Sequence, residues 1–531
     1  MTEKNKKNKI SSLLCDPKSS FEINFSGMNF SDKSMEELDQ QIKSADLEMR
    51  KIEAGEIKNP DENRKVTHFT DRKYYPSTEI FKSVELFVKD LRSGKIKGST
   101  GKNIESAVIN GIGGSALGPQ FLQFAINGPH WNEKTVAGRN GWMKIYFTDN
   151  TDTAGVMDIL QVIDLEKTIV VSISKSGGTQ ETKNNMIAFS QFYSAAGLDF
   201  SKHACAITME GSELDKFAKN ANWLKIFPMA DSIGGRTSET SVVGHVPAAL
   251  AGINFKDLLD GACNMDEWTR NSNFRENPSY MLALMWYLAG KGRGEKNMVI
   301  VPYSDRLVLL SRYLQQLVME SIGKERDLEG KLVCQGLNVF GNKGGTDAHA
   351  FIQQLNDGKD DFFATFIEVL RDSAQIEVEN GITMGDYLHG FQAGLTNALL
   401  EKNRKVITIR ITEVNAFSLG MIIALYERAV AFYAELIHIN AFHQPGVQAY
   451  KLASKEIIKI QSMLVKRAPE IAGQKLSASE IAKKFSIPDK ASDIEGILAK
   501  FAENSDKKRI GLFKVQRKYQ KDKGWIFQLS E

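Results

Sequence analysis

Two stretches decide the fold class, SAVINGIGGS at residues 106–115 and TIVVSISKSGG at residues 168–178. Each begins with a short β-branched run and ends in a glycine-rich turn that leads into a helical pattern. The same pattern occurs at KIYFTDN (144–150) and HACAITM (203–209). Alternation of strand, turn and helix is typical of βαβ units around a parallel sheet. The sequence therefore predicts an α/β protein with a doubly wound parallel sheet.

A mainly helical segment, Pro247–Gly290, interrupts this alternation of strands and helices, which resumes at NMVIVPYSD, GLNVFGNKGG and DFFATFIEV. We expect two parallel-sheet domains, over residues 101–290 and 291–465. Residues 1–100 are polar and have helical spacing, which predicts a helical N-terminal arm. Residues 466–531 are basic and show a helix–helix–hairpin pattern, which predicts a small winged-helix-like tail.

The composition of the 531 residues is that of a globular protein, with 42% apolar and 25% charged residues. A net charge of +3 excludes a general polyanion binder. The four cysteines form no CxxC pair, which argues against a disulfide scaffold or a structural zinc site. The sequence has no apolar segment typical of a membrane span or signal peptide, so we expect a cytoplasmic protein.

The turn Gly111–Ala116 formally fits the G-x-G-x-x-A pattern of dinucleotide-binding proteins. That pattern requires an acidic residue about 20 positions further on, at the end of the second strand. The first acidic residue that closes a strand here is Asp149, which is too far along the chain. The turn better fits a phosphate site at a helix N-terminus, with Ser115 adding a hydroxyl group. A tight turn without a ligand is the alternative.

A second turn, Ser174–Thr179, combines three hydroxyl groups, one lysine and two glycines at the start of a helix. It is too short for a Walker A loop, and its lysine precedes the glycines. It therefore favours a phosphate monoester over a nucleoside triphosphate, although a Ser/Gly turn with a solvated lysine remains the alternative. If both turns follow strands of one sheet, they converge at its carboxyl edge, where open α/β sheets bind ligands.

Three polar residues stand inside apolar or glycine-rich patterns: Arg236, Glu320 and His349. Each has a simple alternative explanation. Arg236 could form a surface ion pair, Glu320 could end a solvated helix, and His349 could cap a helix or lie in the core.

Six segments together resemble the glucose-6-phosphate isomerase (phosphoglucose isomerase) family, in the same order and at similar spacing. They are GIGGSALGP, SISKSGGTQET, GGRTSETSVVG, QQLVMESIGK, GGTDAHAFIQQL and INAFHQPGVQAYK, between about residue 105 and residue 455. The resemblance implies two sugar-isomerase (SIS) domains, which agrees with the two predicted sheets. It also implies isomerisation of glucose 6-phosphate and fructose 6-phosphate through ring opening and a cis-enediol, without a cofactor or a metal.

The resemblance also implies residue roles. Glu320 matches the base that moves a proton between C1 and C2, and Arg236 matches the cation that stabilises the enediolate. His349, supplied by the second subunit of a homodimer, and Lys451 match residues of ring opening. The implied phosphate-binding residues are Ser115, Ser174, Lys175, Ser176 and Thr179. The implied substrate-lining residues are Gly113, Gly114, Glu181 and Gln444.

The sequence departs from the family pattern in two places. Many relatives have aspartate where His443 stands, and the residues after it differ as well. Positions 177 and 178 are both glycine, which leaves fewer side-chain donors in the phosphate cradle. We therefore expect backbone N–H groups to carry more of the phosphate binding.

The alternative function is a sugar-phosphate-sensing regulator that binds DNA through its tail. The predicted hairpin is rich in basic residues, namely Lys507, Lys508, Arg509, Lys514, Arg517, Lys518, Lys521 and Lys523. Such charge can bind nucleic-acid phosphates nonspecifically. However, the one candidate recognition helix, 492–502, is acidic in its first turn, so nucleic acid is not an expected partner.

Overall fold

The computed structural model describes residues 12–16, 18–505 and 513–530. The described chain divides into two compact units, one ending at His443 and the other beginning at Gln444. The basic residues Lys507, Lys508 and Arg509 of the predicted hairpin lie outside the described residues.

The strands of the first unit, in chain order, are β1 Leu13–Asp16, β2 Phe21–Asn24, β3 Ile57–Asn59, β4 Arg64–Lys65, β5 Ser106–Asn110, β6 Lys144–Thr148, β7 Thr168–Ile173, β8 Ala204–Thr208, β9 Lys225–Pro228, β10 Asn297–Tyr303, β11 Lys324–Arg326, β12 Leu332–Gln335, β13 Val339–Phe340, β14 Phe362–Val369, β15 Glu377–Glu379, β16 Ile382–Thr383 and β17 Lys405–Ile411. Its helices are α1 Asp32–Glu36, α2 Asp39–Glu53, α3 His68–Tyr74, α4 Glu79–Arg92, α5 Leu117–Asn127, α6 Thr153–Val162, α7 Gln180–Ala195, α8 Glu213–Asn220, α9 Val242–Leu250, α10 Phe255–Trp268, α11 Pro278–Gly290, α12 Leu310–Leu314, α13 Ile352–Asp357, α14 Met384–Glu401 and α15 Ala416–Leu436.

The first sheet is fully parallel and has the strand order β6-β5-β7-β8-β9. Every residue of β5, β7 and β8 is buried, because helices cover both faces of a doubly wound sheet. This confirms the predicted α/β class. Strand β9 was not predicted, because its four residues carry only a short apolar signal.

The second sheet has the order β1-β2-β17-β14-β10-β13. Strands β13, β10 and β14 are parallel, as predicted, and β17, which was not predicted, adds a fourth parallel strand. Strands β1 and β2 add an antiparallel hairpin to the edge, with Ile23 opposite Ile409. The N-terminal arm is thus not only helical. Its two strands of four residues were too short to be recognised, and their pairing partner lies almost at the other end of this unit.

Helix α15 forms the centre of the helical layer and packs against α2, α10 and α11. By length and composition it is the one helix of the described residues that could cross a membrane. Of its apolar window, 94% is buried inside the protein, which is typical of a core helix.

The second unit contains α16 Pro445–Arg467, β18 Lys475–Ser477, α17 Ala478–Lys484, α18 Ala491–Ala502, β19 Lys514–Gln520 and β20 Gly524–Ser530. Its three strands form an antiparallel sheet with the order β18-β20-β19. It has its own core, in which Ile481, Leu498 and Phe527 are fully buried.

Charged side chains are buried where α3, α10 and α15 meet in the first unit. Arg72 donates to both carboxylate oxygens of Asp266, at 2.7 and 3.0 Å, and to Oε2 of Glu427 at 2.7 Å. Arg428 donates to Asp266 at 2.7 Å. All four side chains are at most 2% exposed. Removing one partner of such a buried pair costs about 3–5 kcal/mol, because an uncompensated charge is left behind.

Glu239 is a further buried carboxyl group, three residues after Arg236. The residue is 2% exposed, and neither carboxyl oxygen has a hydrogen-bond partner among the described residues. The carboxyl group fits between two helices, because a Cβ atom added at Gly118 would lie 2.3 Å from Oε2 and one at Gly244 would lie 2.8 Å from Oε1. Burial raises the pKa of Glu239 well above its ordinary value, and the neighbouring Glu427 adds to this. Burial therefore favours the neutral, protonated form of this carboxyl group in the folded protein.

Replacement of Glu239 by Gln should make the free energy of unfolding less dependent on pH. Above the ordinary carboxyl pKa, the wild-type protein must take up a proton to fold, so its stability falls as pH rises. Gln needs no proton. The stability difference in favour of Glu239→Gln should therefore grow between about pH 5 and pH 8, by up to about 1.4 kcal/mol per pH unit. Urea unfolding at several pH values measures this difference.

The matched control is Glu37→Gln, which removes an exposed carboxyl group and should leave the pH dependence of unfolding as in the wild type. Parallel pH profiles for Glu239→Gln and the wild type would contradict a buried neutral acid.

Candidate active site

The two glycine-rich turns start at the same edge of the first sheet. The 3-10 turn Gly113–Ser115 follows β5 and precedes α5, and the turn Lys175–Thr179 follows β7 and precedes α7. Strands β5 and β7 are parallel, hydrogen-bonded neighbours. Both turns therefore lie at the carboxyl end of the sheet, where ligands of open α/β sheets bind.

The second turn is held in shape by its own hydroxyl groups. The N–H groups of Gly177 and Gly178 donate to the hydroxyl oxygens of Ser174 and Ser176, at 3.1 and 3.2 Å. The Ser174 hydroxyl donates to that of Thr179 at 3.2 Å. Gly177 has a φ of +74°, and a Cβ atom there would lie 2.2 Å from the backbone nitrogen of Leu214. Glycine at this position is thus required by the backbone and by the contact with α8.

Lys175 connects this turn to the segment that precedes Arg236. Its Nζ atom donates to the carbonyl oxygen of Ile233 at 3.0 Å and to that of Asp231, whose carboxylate lies 3.3 Å away. Burial, followed by the neighbouring charge of Arg64, lowers the pKa of Lys175 to about 8. The lysine is therefore a structural contact of the site as well as a cation, and not the solvated lysine of the alternative interpretation.

The first turn contacts the Arg236 segment through the backbone. A Cβ atom added at Gly114 would lie 1.8 Å from the carbonyl oxygen of Gly235. The Ser238 hydroxyl also donates to the carbonyl oxygen of Gly114 at 3.4 Å. Only glycine at position 114 allows the two backbones to come this close. The contact places the turn that carries Ser115 directly against the segment that carries Arg236.

Glu320 lies at the end of a widened helical turn. Helix α12 continues as a π-helix over Gln315–Glu320, a local geometry that is rare and frequent at functional sites. One carboxylate oxygen of Glu320 accepts a hydrogen bond from Gln316 Nε2 at 3.0 Å, and the other lies 3.1 Å from Nη1 of Arg236. The same Gln316 nitrogen would lie 2.9 Å from a Cβ atom at Gly113. Glu320 is therefore close to the first turn, with a side chain that is 23% exposed.

Arg236 is buried, and its guanidinium is fixed on several sides. Nε donates to the hydroxyl of Ser321 at 3.0 Å, and Nη2 donates to the carbonyl oxygen of Ala441 at 2.7 Å. Burial lowers the pKa of Arg236, and the charge of Glu320 opposes this shift. Arg236 therefore forms a partly buried ion pair with Glu320 beside the two turns, rather than the surface ion pair of the alternative interpretation.

Lys324 is a neighbouring residue that sequence reasoning did not single out. Its Nζ atom donates to the carbonyl oxygens of Glu320 and Ser321, both at 2.7 Å. Burial lowers the pKa of Lys324 to about 7, and the charge of Arg236 lowers it further. The lysine four positions after Glu320 was visible in the MESIGK segment, but nothing in the sequence showed that its amine turns back onto the helix end.

The other predicted site residues belong to other elements than Glu320 does. His349 belongs to the exposed 3-10 turn Asp347–His349, and its ring has no hydrogen-bond partner within the described part of the chain. The turn is anchored by Asp347, which accepts hydrogen bonds from the backbone and side chain of Asn342 at 2.9 and 3.2 Å. Glu181 lies half-buried in the first turn of α7.

Gln444 and Lys451 belong to the second unit. Gln444 directly precedes α16, and Lys451 lies in the first half of that helix. Within the described residues, no group of three or more His, Cys, Asp or Glu side chains could hold a metal ion.

Comparison with known proteins agrees with this geometry. The phosphoglucose isomerase family model matches residues 24–466. The chain is 46% identical over 498 residues to a glucose-6-phosphate isomerase of Gloeothece citriformis, covering 91% of this chain and 92% of the relative. It is 44% identical over 507 residues to that of Citrifermentans bemidjiense, covering 93% and 94%.

Among solved structures, a glucose-6-phosphate isomerase from Chlamydia trachomatis superposes with a TM-score of 0.75 at 28% identity, covering 85% of this chain and 90% of the other. The family match covers the parallel strands of both sheets and every residue of the site described above. The chain belongs to the phosphoglucose isomerase family.

Proposed function

We propose that this protein interconverts glucose 6-phosphate and fructose 6-phosphate, the activity stated in the names of its relatives. The observation that carries the proposal is the ion pair of buried Arg236 and partly exposed Glu320, which lies beside two glycine-rich turns at the carboxyl edge of a parallel sheet. A site of this kind combines an anion cradle with a carboxylate and a fixed cation, which an aldose–ketose isomerase requires.

The phosphate group is bound by the turn after β7. The proposed phosphate-binding hydroxyls are those of Ser115, Ser174, Ser176 and Thr179, and Lys175 adds positive charge nearby. The turn also supplies free N–H groups at the start of α7, together with the partial positive charge of the helix N-terminus. Gly177 and Gly178 add no side-chain donors, so backbone groups carry part of the binding.

The chemical step is a proton transfer between neighbouring carbons of the open-chain sugar. Glu320 removes the proton from C2 of the aldose, and the electrons of that bond form the C1–C2 double bond of an enediolate. Arg236, already 3.1 Å from Glu320, stabilises the negative charge on the oxygens. The proton then returns to C1, while the O2 proton moves to O1, which gives the ketose. Gly113, Gly114 and Glu181 line the substrate.

Ring opening requires His349 and Lys451, and we propose that His349 comes from the second subunit of a homodimer. Its exposed position supports this assignment. Apolar side chains on neighbouring elements also remain exposed, since Ile376 and Val378 are each 53% exposed beside β15, and Met384 and Phe391 on α14 are each 58% exposed. Exposed apolar side chains that form one patch are typical of a protein interface, and these four are the candidates for the subunit contact.

The DNA-binding regulator kept as the alternative finds no support in the comparisons, whose named relatives are isomerases. We also propose that the protein acts in the cytoplasm, where sugar phosphates are interconverted.

Replacement of Glu320 by Gln should lower kcat by about 10³-fold and change the Michaelis constant by less than about tenfold. The amide keeps the shape of the side chain and leaves the phosphate cradle intact, but it cannot accept the proton. Formation of glucose 6-phosphate from fructose 6-phosphate, followed with a coupled dehydrogenase, measures both constants.

The control is Glu325→Gln, in which the altered side chain is 71% exposed and kcat should stay at the wild-type value. Turnover of Glu320→Gln at about a tenth of wild type or above would be inconsistent with a catalytic base.

The double substitution Ser176→Ala with Thr179→Ala should raise the Michaelis constant by about tenfold or more, with a smaller change in kcat, because it removes two hydroxyl donors to the phosphate. Ser194→Ala, at the exposed far end of α7, is the control. An unchanged Michaelis constant in the double variant would place the phosphate elsewhere.

Mixing two inactive variants tests whether His349 acts across subunits. In a hybrid dimer of Glu320→Gln and His349→Ala, one site combines the intact Glu320 of one chain with the intact His349 of the other. Unfolding and refolding an equal mixture should restore about a quarter of wild-type activity, because half of the dimers are hybrids with one working site each. If His349 served its own subunit, no site would be complete and the mixture would stay inactive.

A further inference from the structure

The hairpin of β3 and β4 lies in the N-terminal arm, for which the sequence suggested only a covering role. The two strands are joined by a 3-10 turn, Pro60–Glu62. Two segments of the site contact this hairpin, although both are far away in the sequence. Arg64 donates to the carbonyl oxygen of Asp231 at 2.9 Å, on the segment that Lys175 also holds.

The more extensive contact is with the loop Asn440–His443, to which Asn59 and Asp61 are both bonded. Asn59 Nδ2 donates to the carbonyl oxygen of Phe442 at 3.2 Å. Asn440 Nδ2 donates to Oδ1 of Asn59 at 3.2 Å and to Oδ2 of Asp61 at 2.7 Å. Nδ1 of His443 lies 2.5 Å from the same Asp61 oxygen. One carboxylate thus holds both ends of the loop.

The loop in turn fixes the guanidinium of Arg236. Nη2 of Arg236 donates to the carbonyl oxygen of Ala441 at 2.7 Å and to that of His443 at 3.4 Å. Asp61 contacts Asn440 and His443. Ala441 lies between these two residues, and the second carbonyl group belongs to His443 itself. A displacement of the loop would therefore move the acceptors of Nη2, while Nη1 and Nε remain bonded to Glu320 and Ser321.

Charge favours the same arrangement. The groups that face His443 are Asp61 on the hairpin, Lys324 at the end of the π-helix, and Arg236. Burial lowers the pKa of His443, and the two cations lower it further, against the opposing effect of Asp61. Asp61 is therefore the anionic group that opposes Arg236 and Lys324 at His443, and a neutral residue there would leave these two cations less compensated.

We infer that Asp61 is a positioning residue for Arg236, which acts by fixing the loop Asn440–His443 whose carbonyl groups hold the guanidinium. The inference rests on the proposed role of Arg236 in stabilising the enediolate. Asp61 touches neither Arg236 nor Glu320 in the contacts described above. Its effect should therefore appear in the chemical step and not in the binding of the phosphate group.

The first test is Asp61→Asn, which keeps the size of the side chain and removes its charge. Asp61 is 59% exposed, so the variant should fold with an unchanged melting temperature. We expect kcat to fall about tenfold, with less than about a threefold change in the Michaelis constant. Affinity for a phosphorylated aldonate, whose carboxylate mimics the charge of the enediolate, should fall in parallel with kcat.

The matched control is Glu56→Gln, which removes one exposed negative charge just before the same hairpin. It should leave kcat and the aldonate affinity unchanged. An equal loss of kcat in Glu56→Gln would mean that the general negative charge of the hairpin matters, and it would overturn the specific role of Asp61.

A double-mutant cycle with Arg236→Lys separates this inference from the proposed function. If Asp61 acts through Arg236, its replacement should cost less than about twofold in kcat once Arg236 is already Lys. If Asp61→Asn and Arg236→Lys instead lower kcat by independent factors that multiply in the double variant, the inference is overturned. If Arg236→Lys collapses kcat while Asp61→Asn leaves it unchanged, the inference alone fails. If Arg236→Lys itself leaves kcat unchanged, the proposed role of Arg236 fails.

Discussion

The close backbone contact between Gly114 and Gly235 is the constraint on which the site depends. A Cβ atom at Gly114 would lie 1.8 Å from a carbonyl oxygen, so no other residue permits the two segments to meet. Because they meet, the turn after β5 lies beside Arg236, and through Gln316 it also lies beside Glu320. The distance between the phosphate cradle and the proton-transfer pair is thus set by the backbone rather than by mobile side chains.

The electrostatics of the site follow from burial. Lys175, Arg236 and Lys324 are three cations near one partly exposed carboxylate, and burial lowers the pKa of each of them. Cations that are poorly solvated are stabilised by an incoming anion. A sugar phosphate brings such an anion, and the enediolate adds further negative charge during the reaction. The site is therefore organised for a charge that develops in the transition state, which is the most effective use of fixed dipoles and cations.

Much of the fold could be predicted from the sequence, because each parallel strand is a continuous apolar run followed by a polar or glycine-rich turn. The two glycine-rich turns were predicted for the same reason, and their role in binding phosphate is a proposal. The hairpin β1–β2 was not, since its pairing with β17 joins residues almost 400 positions apart. The π-helical turn before Glu320 and the contacts of Asp61 were also invisible, because they depend on tertiary packing and not on local pattern. The roles of His349 and Lys451 came from the family resemblance and remain predictions.

The central claim is that a carboxylate transfers a proton between C1 and C2 of an open-chain sugar phosphate. Conversion of fructose 6-phosphate in deuterium oxide tests it most directly. A base that exchanges its proton with solvent must leave deuterium on C2 of part of the glucose 6-phosphate formed, and NMR spectroscopy measures that fraction. Because the Glu320 side chain is 23% exposed, we expect a clearly measurable fraction. Rapid turnover that yields glucose 6-phosphate without any deuterium at C2 would indicate a direct hydride shift and would contradict the account.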